Sequence, residues 1–256
     1  MYKRIISLAP SNTEILYALG AEDRLVAVTR YCDFPEDAKK KPRIGGWLDI
    51  NEKLILEYNP DLLLTSTFVQ NNINKKYKKL GMNIVAVMPT TLKGVFDSIE
   101  KIGKLVGKEN ESNQLIDVMK NKLNEIENKV KKAKNKPRLY IEEWHKPPTV
   151  SGNWVPTLVK TAGGDYGLIK AGVHSKEVTT EQIKKYDPEM IVVSICGMAD
   201  KVPKEWITKR EGWQNLSAIK NDRFYVFDDS LLNRPGPRLT IGLEELAKAV
   251  HPECFD

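Results

Sequence analysis

Apolar positions fall into two kinds of run along this chain. Short blocks such as Leu62-Leu63-Leu64 and Ile191-Val192-Val193 are bounded by Pro, Asn and Asp, the pattern of a strand buried on both faces. Longer stretches are spaced by three and four: Val95, Ile99, Ile102 and Val106, and, after a break at Gly107-Lys108, Leu115, Ile116, Met119, Leu123, Ile126 and Val130. That spacing is the buried stripe of an amphipathic helix. In the first part of the chain, strands near Ile5, Leu25 to Val28, Leu62 to Thr65 and Ile84 to Val87 alternate with helices near Thr13, Leu54 and Ile73, which predicts a parallel sheet. The rest predicts strands near Leu139, Ile191 to Val193 and Phe224 to Val226, a helix over Trp154 to Ala162 with Asn153 as its cap, and a closing helix over Leu239 to Val250.

The two parts also resemble each other. Tyr58-Asn59-Pro60-Asp61, followed by an apolar strand, returns 128 residues later as Tyr186-Asp187-Pro188-Glu189, with Ile55 and Ile183 in step. Each copy reads as a helix end, a proline stop and a buried strand. One repeat at so long a period predicts two similar lobes facing a cleft rather than an array. The expected fold class is therefore α/β, two Rossmann-like lobes with parallel sheets. The divisions are 1–107 for the N-terminal lobe, 108–136 for one long connecting helix and 137–256 for the C-terminal lobe. A helical link resists bending and predicts little closure; a surface helix of a single domain is the alternative.

Composition narrows the class. The chain has 256 residues, 41% of them hydrophobic, enough for a packed core in each lobe. The net charge of +6 comes from lysines interleaved with glutamates, without the basic stripe and aromatics that nucleic-acid binding requires. The three cysteines, Cys32, Cys196 and Cys254, are too far apart for a zinc spacing and odd in number, so core packing is their default. No apolar run approaches a membrane span, and no leader precedes the first strand. A mature exported domain and a cytoplasmic protein remain equally open on that point.

Candidate chemistry collects after predicted strands, the usual ligand edge of an open parallel sheet. Tyr31-Cys32-Asp33-Phe34-Pro35 follows one strand, and Gly45-Gly46-Trp47 places an indole in a loop poorly suited to bury it. In the second part, Glu142-Glu143-Trp144-His145 follows a strand directly. His145 is a candidate axial ligand or hydrogen-bond donor, or a plain loop residue. Asp229 to Arg234 precede the last helix, and Arg234 could hold a carboxylate, phosphate or amide oxygen, or pair with Asp228 or Asp229. No P-loop, G-x-S-x-G or H-E-x-x-H is present. No catalytic residue and no resident metal ligand is therefore assigned. An enzyme of the chelatase kind, using His145 with Glu142 or Glu143, stands as the alternative of another class.

Several segments together resemble the substrate-binding proteins of cobalamin and iron-siderophore ABC importers, nearly end to end. They are Arg4 to Gly20, Tyr31 to Pro35, Gly45 to Trp47, Asn59 to Leu62, Pro147 to Gly164 and Asn233 to Leu243. The Trp144 and Arg234 regions look most like the cobalamin branch. The resemblance implies a non-catalytic protein that holds cobalamin or another corrinoid between its lobes as bound ligand, for delivery to an ABC importer permease. Haem or a ferric siderophore is the alternative ligand. The resemblance places Tyr31, Trp47 and Phe68 on the ligand from the first lobe and Trp144 and the loop of Asp229 to Arg234 from the second, and His145, read beside Trp144 from the residues, is counted with them. The resemblance further implies permease docking through one surface glutamate per lobe, Glu181 in the second. In the first lobe Lys53 stands at the matching position and the acid is Glu52. An extracytoplasmic monomer that does not insert into the membrane is expected.

Overall fold

The computed structural model describes residues 1–255; the side chain of Phe68 lies outside what is described. Contacts group the chain into two compact units, one formed by residues 1–89 and 93–118, the other by 90–92 and everything from Met119 onward.

In the first unit the apolar blocks become β1 (Ile5–Ser7), β2 (Leu25–Val28), β3 (Leu62–Thr65) and β4 (Ile84–Ala86), in the order β2-β1-β3-β4. All the pairings are parallel, as the alternation predicts. Between them run α1 (Pro10–Ala18), α2 (Glu52–Tyr58) and α3 (Asn71–Lys79), followed by α4 (Leu92–Val106) and α5 (Glu109–Val130). Gly107, at φ +61, separates the last two, a conformation that glycine enters at little strain. The boundary between the units falls within α5. One face of the sheet buries Ile6, Leu8, Ala27 and Leu63 against Ile44, Ile55 of α2 and Tyr77 of α3.

The second unit holds β5 (Leu139–His145), β6 (Pro148–Val150), α6 (Val155–Thr161), β7 (Lys176–Glu177), α7 (Thr180–Tyr186), β8 (Met190–Val193), α8 (Glu205–Thr208), α9 (Ser217–Lys220), β9 (Phe224–Val226), α10 (Asp229–Leu232) and α11 (Leu239–Val250). The strand order is β7-β6-β5-β8-β9. β5, β8 and β9 are parallel, but β6 folds back antiparallel on β5 and β7 antiparallel on β6. The three strands expected from the sequence thus pair in parallel, and two short strands that it did not predict extend the sheet antiparallel. A turn at Lys146-Pro147 is too short for a crossover and can join only an antiparallel pair. Asn153 also differs from expectation. It lies at φ +53, and Trp154 takes the cap position without a side-chain cap. The Asn153 N–H donates to the Val173 carbonyl at 2.7 Å and its carbonyl accepts from Gly172 at 2.9 Å, so its backbone is fixed by that loop instead.

The internal repeat is a repeated set of hydrogen bonds. α2 and α7 end on left-handed residues, Asn59 at φ 42 and Asp187 at φ 44. Arg4 Nε donates to the Asn59 carbonyl at 3.1 Å and Arg138 Nε to the Asp187 carbonyl at 3.0 Å. The acid after each proline then accepts from the strand: Asp61 from Arg4 N at 2.9 Å, Glu189 from Arg138 N at 3.0 Å. Each set satisfies the carbonyls a helix leaves open at its end. Among the described residues, no helix is long and apolar enough to cross a membrane.

Candidate ligand-binding site

Parallel pairing sends every strand of the first sheet toward the same edge. The segments that leave that edge carry Tyr31, Phe34, Trp47, Leu48, Val69 and Met88, all large apolar side chains and all exposed. Such side chains are ordinarily buried, and grouped exposure of this kind marks a binding surface.

The Trp47 loop is built to present its indole. Gly45, at φ +115, lies where an added Cβ would come within 2.2 Å of the Asp49 carbonyl oxygen, so only glycine fits. Arg30 N donates to the Gly45 carbonyl at 2.8 Å, and the Arg30 guanidinium pairs with the Asp49 carboxylate. That guanidinium also lies 5.9 Å from the centroid of the Tyr31 ring. A Cβ on Gly46 would be 3.3 Å from Tyr31 Cε2, so Tyr31 and the Trp47 loop pack against each other. Tyr31 is 48% and Trp47 42% exposed. Gln70, at the start of α3, joins the same construction: its amide nitrogen donates to the Trp47 carbonyl at 3.2 Å. The sequence reading missed it, because a lone glutamine after a strand has no distinguishing pattern. Phe68, also expected here, lies in the short turn Phe68–Gln70, its side chain outside the described residues.

At the corresponding edge of the second sheet, Trp144 ends 47% exposed, its indole N–H donating to the Lys146 carbonyl at 3.0 Å. Adjacent His145 stacks on Trp206, centroids 4.2 Å apart and planes 22° apart. Its Nδ1 is enclosed without a hydrogen-bond partner. Burial lowers the His145 pKa, with the Glu142 charge opposing the shift, which favours the neutral ring. Lys146, Trp206, Lys209 and Arg210 are among the walls of a groove of about 510 Å³ beside it.

The two neighbouring glutamates have separate environments. Glu142 is buried and takes both Arg210 donors at 2.7 Å, with the Tyr140 hydroxyl donating at 2.8 Å. This is an ion pair held in the core of the unit. Burial pushes the Glu143 carboxyl up, with Ser175 partly opposing the shift. Among the described residues no three His, Cys, Asp or Glu side chains gather to hold a metal ion. Asp229 is also buried; its two oxygens accept from Gly197 N at 3.0 Å and Ala199 N at 2.8 Å, tying down the loop after β8. Arg234 lies half-buried between α10 and α11.

The two expected docking acids lie at matching helix starts. Glu181 is exposed in the first turn of α7, behind a capping box of Thr179 and Gln182. Glu52 opens α2 after Asn51, whose side chain accepts from Lys53 N and Leu54 N. Lys76 of α3 pairs with Glu52, whereas Lys53, the repeat equivalent of Glu181, is exposed.

Residues 5–231 match the family described as periplasmic binding protein. An ABC transporter substrate-binding lipoprotein of Bacillus subtilis, YvrC, is 32% identical over 99% of this chain and 81% of its own length. A vitamin B12-binding protein of Vibrio cholerae is 29% identical over 95% of this chain and 87% of its own. Among solved structures, a possible iron-binding periplasmic solute-binding protein from Staphylococcus epidermidis superposes with a TM-score of 0.83 at 30% identity, covering 98% of this chain and 99% of that one. The periplasmic vitamin B12-binding protein BtuF of Vibrio cholerae superposes with a TM-score of 0.79 at 26% identity, covering 98% and 97%. The alternating strands and helices are thus those of a shared architecture, and the chain belongs to the periplasmic binding protein family.

Proposed function

We propose that this protein is the extracytoplasmic binding component of an ABC importer and that its ligand is cobalamin or a related corrinoid. The observation that carries the reading is the grouping of exposed aromatic and aliphatic side chains at the strand-end edge of the first sheet, with exposed Trp144 at the end of β5 in the second. A corrinoid is a broad apolar macrocycle fringed with amides, and suits aromatic faces with a few polar contacts. Tyr31 and Trp47 in the first unit and Trp144 in the second supply those faces. Arg234 supplies a polar contact to a peripheral amide oxygen, and Asp229 acts by holding its loop. His145, stacked on Trp206, serves the same surface as a wall. The relatives named for vitamin B12 binding support this ligand.

Calorimetry with cyanocobalamin tests it. Trp47→Ala and Trp144→Ala should each weaken binding by about 2 kcal/mol, roughly thirty-fold, the scale of a buried aromatic anchor. Unchanged affinity in both variants would remove the aromatic faces from the site.

A second reading, haem or a ferric siderophore, is favoured by one feature. Lys146 and Lys209 border the groove beside Trp206, and their charges suit an anionic ligand. The solved relative described as possibly iron-binding supports the same direction. The +6 balance of the chain is compatible with both ligands.

A further inference from the structure

We propose that Gln70 is the positioning residue of the Trp47 platform. It sets ligand affinity without touching ligand, by fixing the loop that presents the indole. The proposal rests on Trp47 being a ligand contact.

Gln70 is fully buried. A primary amide has two N–H donors and one acceptor oxygen, and here both ends are used. Oε1 accepts from Ser66 N at 3.0 Å, in the segment leaving β3. Nε2 donates to the Leu8 carbonyl at 2.9 Å, in the segment leaving β1, and to the Trp47 carbonyl at 3.2 Å. One side chain therefore ties together three segments at the strand-end edge. The base of the Trp47 loop is closed by Asn51 N donating to the Ile44 carbonyl at 2.8 Å, while at its tip the bond from Gly46 N to the Asp49 carbonyl is long at 3.3 Å, and Gln70 holds that tip through the Trp47 carbonyl.

Chemistry restricts the position closely. Glutamate could accept from Ser66 but would set a negative charge against two carbonyl oxygens. Methionine fills the volume and makes none of the bonds. Asparagine keeps the amide but is one methylene short, so it cannot reach all three partners. Losing the anchor lets the loop sample other conformations, which then have to be ordered when ligand binds.

Two measurements on the full chain decide the matter, with Gln70→Asn as the main variant and Gln70→Met as the second. Backbone hydrogen exchange of the ligand-free protein should quicken by about tenfold or more over residues 44–51 in both variants, with the second unit unchanged. Calorimetry with cyanocobalamin should show affinity lowered by about tenfold in Gln70→Asn, and by less than about twofold when the same change is made in Trp47→Ala. Unchanged exchange over 44–51 would overturn the proposal, as would an equal affinity loss in the Trp47→Ala background. If Trp47→Ala alone leaves cyanocobalamin affinity intact, the ligand reading of Trp47 fails, and the ligand-free exchange result still decides whether Gln70 holds the loop.

Discussion

The residues of the site divide into those that present a surface and those that hold it in place. Trp47, Tyr31 and Trp144 are exposed at strand ends, whereas Gln70, Asp229 and the Arg210–Glu142 pair are buried behind them. Sequence reasoning found the first kind, because an indole after two glycines or at a strand end is conspicuous. It named Asp229 as a ligand contact rather than as a buried anchor of the loop after β8, and Gln70 not at all, since their partners are backbone groups distant along the chain. Glu143 carries a pH signature. Burial favours its neutral form in the folded protein, so its contribution to stability is complete below the unfolded-state pKa of about 4.3 and is lost as pH rises through the higher folded value. Glu143→Gln should therefore be more stable than the parent at about pH 8, with the gap closing near about pH 4. Urea unfolding at the two pH values checks this, and a gap that grows on acidification would reverse the assignment.

At the scale of elements, the first sheet followed from the sequence almost to the residue. Its strands are continuous apolar blocks and its turns carry proline and αL-tolerant Asn, so local and tertiary preferences agree. In the second sheet β5, β8 and β9 followed as well, but β6 and β7 did not. β6 and β7 have three and two residues, too few for any period to register, and the antiparallel turn depends on Lys146-Pro147 rather than on apolar pattern. α8, α9 and α10, each four residues long, were missed for the same reason. β5 also anchors a buried charge: Glu142 in this strand is wholly enclosed and paired with Arg210 beyond α8. Removing one member of such a pair leaves the other uncompensated. Arg210→Met should destabilise the protein by about 3–5 kcal/mol, and adding Glu142→Gln should recover a substantial part. Denaturant midpoints of the single and double variants test this; additive losses would mean the pair is not coupled.

At the scale of the whole molecule, the duplication gives two helix starts at equivalent positions with opposite charge, Lys53 on α2 and Glu181 on α7. A permease that meets both must offer different groups to each. Glu52 is already paired with Lys76, so it has less charge to offer a partner than Glu181. In reconstituted uptake, Glu181→Ala should lower transport strongly with ligand affinity unchanged, and Glu52→Ala should lower it less; equal effects would restore symmetric docking. The family is established by the match over most of the chain, while the ligand is the claim most exposed to test. Calorimetry of the purified protein against cyanocobalamin, cobinamide, haemin and a ferric siderophore tests it most directly. A corrinoid carrier should show a one-to-one endpoint with both corrinoids and none with the other two; saturation by haemin or the siderophore with silence toward both corrinoids would contradict corrinoid binding.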